Sequence, residues 1–215
     1  MRRQLLTILL ASILILPAHA SDVEKKGYII NNNGDTIYGK ILLRKELGAI
    51  SNIQLFTQVR FADSTGTLNT YKPGTIKGYG IALVNDTILS HFISFNNVEM
   101  QATFGSKKEN AFMLRELRGF VDVYHLLHSI TNGYQRYEIP EIYLLTGDEP
   151  RTLVRIKPKA LKVPTRYRRS DILPYLKDWP EAEYSKVHDE LSPMELMVAV
   201  ATYNEWRKTN IINNQ

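Results

Sequence analysis

The sequence predicts an α+β fold: a mainly antiparallel β-sheet or partial barrel, followed by a C-terminal helical segment. Three observations predict it. All twelve glycines lie between Gly27 and Gly147, and glycine supports turns and bulges. The same stretch carries runs of period-two alternation, the pattern of half-buried strands. The glycine-free remainder holds both tryptophans, Trp179 and Trp206, and carries helix-start signals instead. The chain has 215 residues, 44% hydrophobic and 23% charged, which excludes a disordered, collagenous or polytopic membrane protein. It is long enough to bury a core without staples. It has no cysteine, so disulfides, Cys-ligated zinc, a Cys nucleophile and a lipidated N-terminal cysteine are excluded.

Residues 1–20 read as a cleaved secretory leader. Arg2 and Arg3 form the positive start, and Leu5 to Leu16 is apolar except for Thr7 and Ser12. Ala18-His19-Ala20 places small residues where a signal peptidase needs them. The apolar stretch is too short for a ~30 Å hydrocarbon core, and Pro17 ends it. The expected mature chain begins at Ser21 and is soluble or peripheral, in the periplasm or associated with the outer membrane. Loss of the two arginines lowers the formal charge of +5 by two. An exported destination argues against a nucleic-acid partner. The expected layout is a leader (1–20), a β-rich region (21–165) and a helical region packed on it (166–215).

Tyr28-Ile29-Ile30, the turn Asn31–Asp35, and Thr36–Leu43 predict a first hairpin, with Ile37, Ile41 and Leu43 on one face. Ile53–Phe61 reads as the clearest strand, with Phe56 as the exception to its alternation. Asp63-Ser64-Thr65-Gly66 turns the chain into a strand from Leu68 to Tyr71. Lys72-Pro73-Gly74 turns it again, and Ile76–Val84 and Thr87–Phe95 form a hairpin around Asn85-Asp86. Residues 111–131 fit either a helix or two strands; Gly119 in the middle and the Val and Phe content favour strands. Asn132-Gly133 leads into Tyr134–Leu145, and Leu153–Ile156 is a last strand. Helix starts follow at Ser170, at Asp178 and at Ser192-Pro193-Met194-Glu195, the strongest, with a Ser cap and a Glu placed to reach back. The helix from Pro193 to about Lys208 carries Leu196, Val200, Tyr203 and Trp206 on one face and Met194, Met197, Val198 and Ala201 on the next. An apolar arc this wide predicts burial on two sides.

Gly27-Tyr28-Ile29-Ile30 … Asn33-Gly34-Asp35-Thr36-Ile37-Tyr38-Gly39-Lys40-Ile41 resembles a recurring start in secreted, β-rich Bacteroidetes-type envelope proteins, a family with no assigned activity. Tyr71–Gly80, Phe112–Arg115, Gly119–Tyr124 and Tyr203-Asn204 resemble later parts of the same pattern. The resemblance implies a β-rich fold with C-terminal helices and an envelope location. It also favours strands over 111–127. It supplies no site residues, and the basic 151–169 segment departs from the pattern.

The search for chemistry returns no compact constellation. His125 and His128 are the only close histidines, and on a strand they point to opposite faces; no metal site and no cofactor is expected. There is no G-x-S-x-G, P-loop or G-x-G-x-x-G. Arg151 to Ser170 carries eight cations and no acid. Lys157, Lys159, Lys162, Arg166, Arg168 and Arg169 are the candidate contact for an anionic surface. The competing reading pairs the strip with the acids of 171–205. Twelve tyrosines admit glycan stacking as well as core packing. The expected function is a secreted envelope protein acting as a non-enzymatic binding or structural module. Its partner would be an envelope protein, a glycan or an anionic lipid surface. The alternative is a periplasmic hydrolase with a dispersed catalytic site.

Overall fold

The first hairpin closes on the side chain of Asn31. Its Oδ1 accepts from the Asp35 backbone N–H and its Nδ2 donates to the Asp35 carboxylate, both at 2.9 Å. Gly34 takes the positive φ that such a tight turn requires. From this turn run β1 (Asp22–Ile30) and β2 (Thr36–Glu46), antiparallel, with Tyr28 opposite Tyr38. The structure, a computed structural model, describes residues 22–46, 49–50, 52–84, 88–102, 105–132, 135–146, 152–158 and 165–212. The leader, the turn residues Asn85, Asp86 and Gly133, and Lys159 and Lys162 of the basic segment lie outside the described residues.

The chain continues through β3 (Ala49–Ile50), a helical turn α1 (Gln54–Thr57), β4 (Val59–Ala62), β5 (Leu68–Tyr71), β6 (Gly78–Val84), β7 (Ile88–Gln101), β8 (Ser106–Leu117), β9 (Asp122–Asn132), β10 (Gln135–Leu145) and β11 (Leu153–Ile156). These strands form one open antiparallel sheet, in the order β11-β10-β9-β8-β7-β6-β1-β2-β4-β5, with β3 paired to β2. Residues 111–131 are strands, as the glycine and the β-branched content predict. Pro140 sits in β10 just before the stretch, Ile142–Leu145, that pairs with β11. Its missing N–H is therefore not needed on that side.

One strand reading is corrected. Ile53–Phe61 is not continuous: Gln54–Thr57 is a helical turn, and only Val59–Ala62 is strand. Phe56 broke the alternation because its spacing is helical; Leu55 and Phe56 are both buried. A run this short cannot decide its own period. The Tyr79 hydroxyl donates to the Leu55 carbonyl and ties the turn down onto the sheet.

Cross-strand register sorts the sheet into two faces. Ile29, Tyr79, Phe92, Leu114, His125, Ile142 and Ile156 are successive partners and therefore share one side, here face A. Face A is covered over its middle and over β9–β11, and opens toward β2 and β5, where Ile37 and Asn69 are exposed. Over its middle lies α1, with Phe56 edge-on to Phe92 at 5.5 Å, and Tyr79 stacked on Phe92 at 4.6 Å. Over β9–β11 lies the C-terminal region: β12 (Tyr167–Arg168), the helical turn α2 (Glu181–Tyr184), β13 (Glu190–Leu191) paired with β12, and α3 (Pro193–Ile212). Val123, Ile142, Leu144 and Ile156 pack there against Ile172, Leu176, Leu196, Val200 and Tyr203.

Only the third helix start yields a long helix. The signals at Ser170 and Asp178 produce two 3-10 turns (Arg169–Asp171 and Leu173–Tyr175) and the four-residue α2, whose N-cap is Pro180 rather than Asp178. Asp178 instead takes a positive φ and pairs with Arg207 at 2.8 Å. At α3 the capping box is complete. Ser192 Oγ accepts from the Glu195 N–H at 3.2 Å, and Glu195 accepts from the Ser192 N–H at 2.7 Å. Those Ser192 bonds hold the Glu195 carboxyl down at about 2. The expectation that both apolar faces of α3 are buried is also corrected: Leu196, Val200 and Tyr203 are inside, whereas Met194 and Val198 are 64% and 57% exposed. One side of the helix meets the sheet and the loops, and nothing among the described residues covers the other.

Asn204 fixes α3 in place. Its Oδ1 accepts from the Val121 N–H at 2.8 Å and its Nδ2 donates to the Val121 carbonyl at 2.9 Å. Gly119 makes room for it, since a Cβ there would lie 2.2 Å from Asn204 Nδ2.

The opposite side, face B, is covered at one end only. A bulge between Phe95 and Val98 places Asn97 at φ 53°, a conformation Asn tolerates better than most residues. Beyond it the β7–β8 hairpin folds over β9 and β10. The Gln101 N–H donates to Glu141 at 2.9 Å and the Tyr143 hydroxyl to the Glu99 carbonyl at 2.8 Å, although β8 and β9 separate β7 from β10 in the sheet. Across β1 and β2, face B is open, with Glu24, Lys26, Tyr38 and Lys40 exposed. No helix among the described residues is long and apolar enough to cross a membrane.

Replacement of Asn204 by Ala strands two buried backbone groups, each costing ~1–3 kcal/mol. Urea denaturation of Asn204→Ala is expected to show a loss of about 2–4 kcal/mol, against little change for the exposed Thr202→Ala.

Candidate functional site

The open part of face B carries a row of functional side chains. Tyr38 on β2, Tyr28 on β1, Gly80 on β6 and His91 on β7 are successive register partners. Arg115 on β8 lies one step from the Leu114–Phe92 pair, and its charge acts on both Tyr28 and His91. Gly80 makes the row possible. A Cβ there would lie 2.3 Å from Tyr28 Cε1, so the Tyr28 ring occupies the space a side chain would fill. From that position its hydroxyl reaches His91 Nδ1 at 2.5 Å. Tyr38 stands edge-on to Tyr28 with ring centroids 5.9 Å apart, and it is 72% exposed.

Burial raises the Tyr28 hydroxyl above its ordinary pKa, against a smaller lowering by Arg115. Burial also lowers His91, and Arg115 lowers it further. At neutral pH the phenol therefore keeps its proton and the imidazole is uncharged. Nδ1 shares a hydrogen bond with the phenol, and Nε2 is the ring's second polar atom. Of the acids on this face whose side chains are described, Glu24 pairs with Lys40 at 2.6 Å and Asp22 with Arg60 at 2.7 Å. Lys26, Arg44 and Arg115 have no carboxylate at ion-pairing distance among the described residues. The row thus combines an exposed aromatic face, a neutral imidazole and a guanidinium with no carboxylate partner among the described residues.

The other histidines each have a different neighbour. His125, on face A, lies 3.6 Å from Glu116 and borders a cavity of about 230 Å³ with Tyr167 and Met197. His128, on face B, lies 3.5 Å from Glu141. His188 lies 3.2 Å from Glu195 in the C-terminal region. Among the described residues no group of three potential metal ligands forms around any of them.

Glu141 is one of two deeply buried acids among the described residues, with Asp122. It accepts from Tyr143 at 2.6 Å, from the Gln101 N–H at 2.9 Å and from Arg155 at 3.1 Å. Burial pushes its pKa up, but the bonds from His128, Tyr143 and Gln101 outweigh it and the net direction is down. The same burial and the adjacent carboxylate push the Tyr143 hydroxyl far up. The hairpin covers this cluster, which joins the β7–β8 extension to β10.

The basic strip is divided by the structure. Arg166 pairs with Glu195 at 3.2 Å. Arg169 pairs with Asp189 at 2.5 Å and donates to the Val187 and Tyr184 carbonyls. Arg155, upstream, is held by Glu141. Lys157 and Arg168 are exposed. A separate groove of about 310 Å³ runs beside α3, with Met194, Val198 and Trp179 among its walls.

Sequence reasoning missed the Tyr28–His91–Arg115 row. Alternation places Tyr28 and Tyr38 on one face, and a glycine at position 80 hints at close approach. Nothing in the sequence says that β1 inserts beside β6. Comparison of the chain with family models, curated proteins and solved structures finds no match.

The folded Glu141 carboxyl titrates below its unfolded value of ~4.3. Its bonds therefore stabilise the fold above that pH and are lost as pH falls through the depressed value. Glu141→Gln is expected to lower the free energy of urea unfolding at pH 7 by ~3 kcal/mol, on the scale of a broken buried pair. The gap to the parent protein should narrow steadily between pH 5 and pH 3.

Proposed function

We propose that this chain is an exported, non-enzymatic binding module of a bacterial cell envelope, and that it binds through the open part of face B. The observation that carries the reading is Tyr38, 72% exposed beside a Tyr28–His91 hydrogen bond and an unpaired guanidinium. Single exposed apolar groups are ordinary on soluble proteins. Here four groups capable of recognition are contiguous and held on strands rather than loops, so binding costs little ordering entropy. The leader features of residues 1–20 and the resemblance of the Gly27–Ile41 segment support the envelope location, in the periplasm or at the outer membrane.

The hydrolase alternative has less support on this face. His91 Nδ1 is taken up by a hydrogen bond with the Tyr28 hydroxyl, and among the described residues no carboxylate orients it as a general base. The anionic-surface role of the strip 157–169 keeps Lys157 and Arg168 as its free groups. Charge reversal at Arg169 would break the Val187, Tyr184 and Asp189 bonds and would read out packing rather than docking.

Two measurements test the reading. Mass spectrometry of the exported chain is expected to show a start at Ser21. In co-sedimentation with isolated envelope fragments, Tyr38→Ala should weaken binding roughly tenfold, the scale of losing one aromatic anchor, and Lys208→Gln should leave it unchanged. Wild-type binding by both Tyr38→Ala and Arg115→Gln would overturn the assignment to this face.

A further inference from the structure

We infer that the open face binds an acidic polysaccharide, a chain of sugars bearing ring carboxylates. The inference rests on the binding-module reading and names its ligand class. The tyrosines supply the first half of the recognition. Tyr38 is exposed on a strand and braced edge-on by Tyr28, and such a ring offers a flat apolar surface to the C–H face of a pyranose, with a hydroxyl at its rim.

The charges supply the second half. Arg115 has no carboxylate partner among the described residues, and its planar fork matches a carboxylate with two parallel bonds. Lys26 lies two residues from Tyr28 on the same strand, hence on the same face, and is exposed without an acid of its own. Arg44 extends the positive field along β2. The two acids whose side chains are described here are neutralised by Lys40 and Arg60, so among the described side chains of this face an approaching anion meets uncompensated cations and no free carboxylate. A neutral glycan would stack on Tyr38 but would leave Arg115 desolvated without a counter-charge, which costs free energy.

Dimensions agree. From β2 to β8 the row crosses four inter-strand spacings, ~4.8 Å each and so ~19 Å in all. That is room for several sugar units laid across the strands, with a ring on Tyr38 and a carboxylate at Arg115. Between them, His91 Nε2 is a further polar atom for a sugar hydroxyl.

The test is affinity electrophoresis at low salt with polygalacturonate, its fully methyl-esterified form, and vesicles of phosphatidylglycerol. The full mature chain should be retarded by the acid polymer and bind the ester roughly tenfold more weakly. Tyr38→Ala and Arg115→Gln should each lose roughly tenfold, Tyr38→Trp should retain binding, and Lys208→Gln should match the parent. Tyr38 is exposed, so its variants keep the core intact, and an unchanged thermal midpoint verifies this. Equal affinity for polymer and ester, no retardation, tighter binding to the vesicles, or indifference to both face variants would each overturn the assignment. Envelope co-sedimentation separates the two levels. If it still depends on Tyr38 while the polymer fails, the ligand class is wrong and the face stands. If neither readout depends on Tyr38, the face itself is wrong.

Discussion

A sheet this wide has two faces, and each must be covered by apolar partners or be polar enough to meet water. In this protein the cover runs out. Face A is covered by the short turn α1 over its middle and by the C-terminal region over β9–β11, and only its β2–β5 end is left exposed. Face B receives only the folded-over end of the β7–β8 hairpin. What remains of face B, across β1, β2 and β6, is where charged residues alternate with buried ones along β1 and β2, and where the aromatic row sits. The candidate site is therefore a consequence of how the covering material is distributed.

Two buried polar groups pin that distribution. Asn204 reads both backbone groups of Val121 and so sets where α3 sits on the β8–β9 turn. Glu141 reads the backbone of Gln101 from β10 and so sets how far the hairpin bends over face B. Both replace water with fixed partners, and burial makes loss of either partner costly. Apolar packing alone would tolerate a helix or hairpin shifted by a fraction of a turn, whereas a bidentate amide or a three-bonded carboxylate does not.

Tyr28 shows the same logic on the open side. The absence of a side chain at Gly80 lets its ring lie flat, and the His91 bond holds it there. A binding surface built on strands and braced by cross-strand pairs is preorganised. The bend at Asn97 and the bulge beside it keep the hairpin's far end away from this surface while they close the other half of the face.

The hairpins, the strand character of 111–131 and the capping box at Ser192 were legible because each is a local matter: turn chemistry, β-branched content and a reciprocal hydrogen bond three residues apart. Alternation also placed Ile37, Ile41 and Leu43 on one face of β2. The short segments were less legible. Gln54–Thr57 is helical and the Ser170 and Asp178 starts yield single turns, because a few residues carry too little periodicity to outweigh their tertiary surroundings. The pairing of β1 with β6, the fold-over of β7–β8, and the meeting of Tyr28, His91 and Arg115 were settled only by the tertiary structure. Those contacts join residues dozens of positions apart, and no local propensity encodes which distant strand becomes a neighbour.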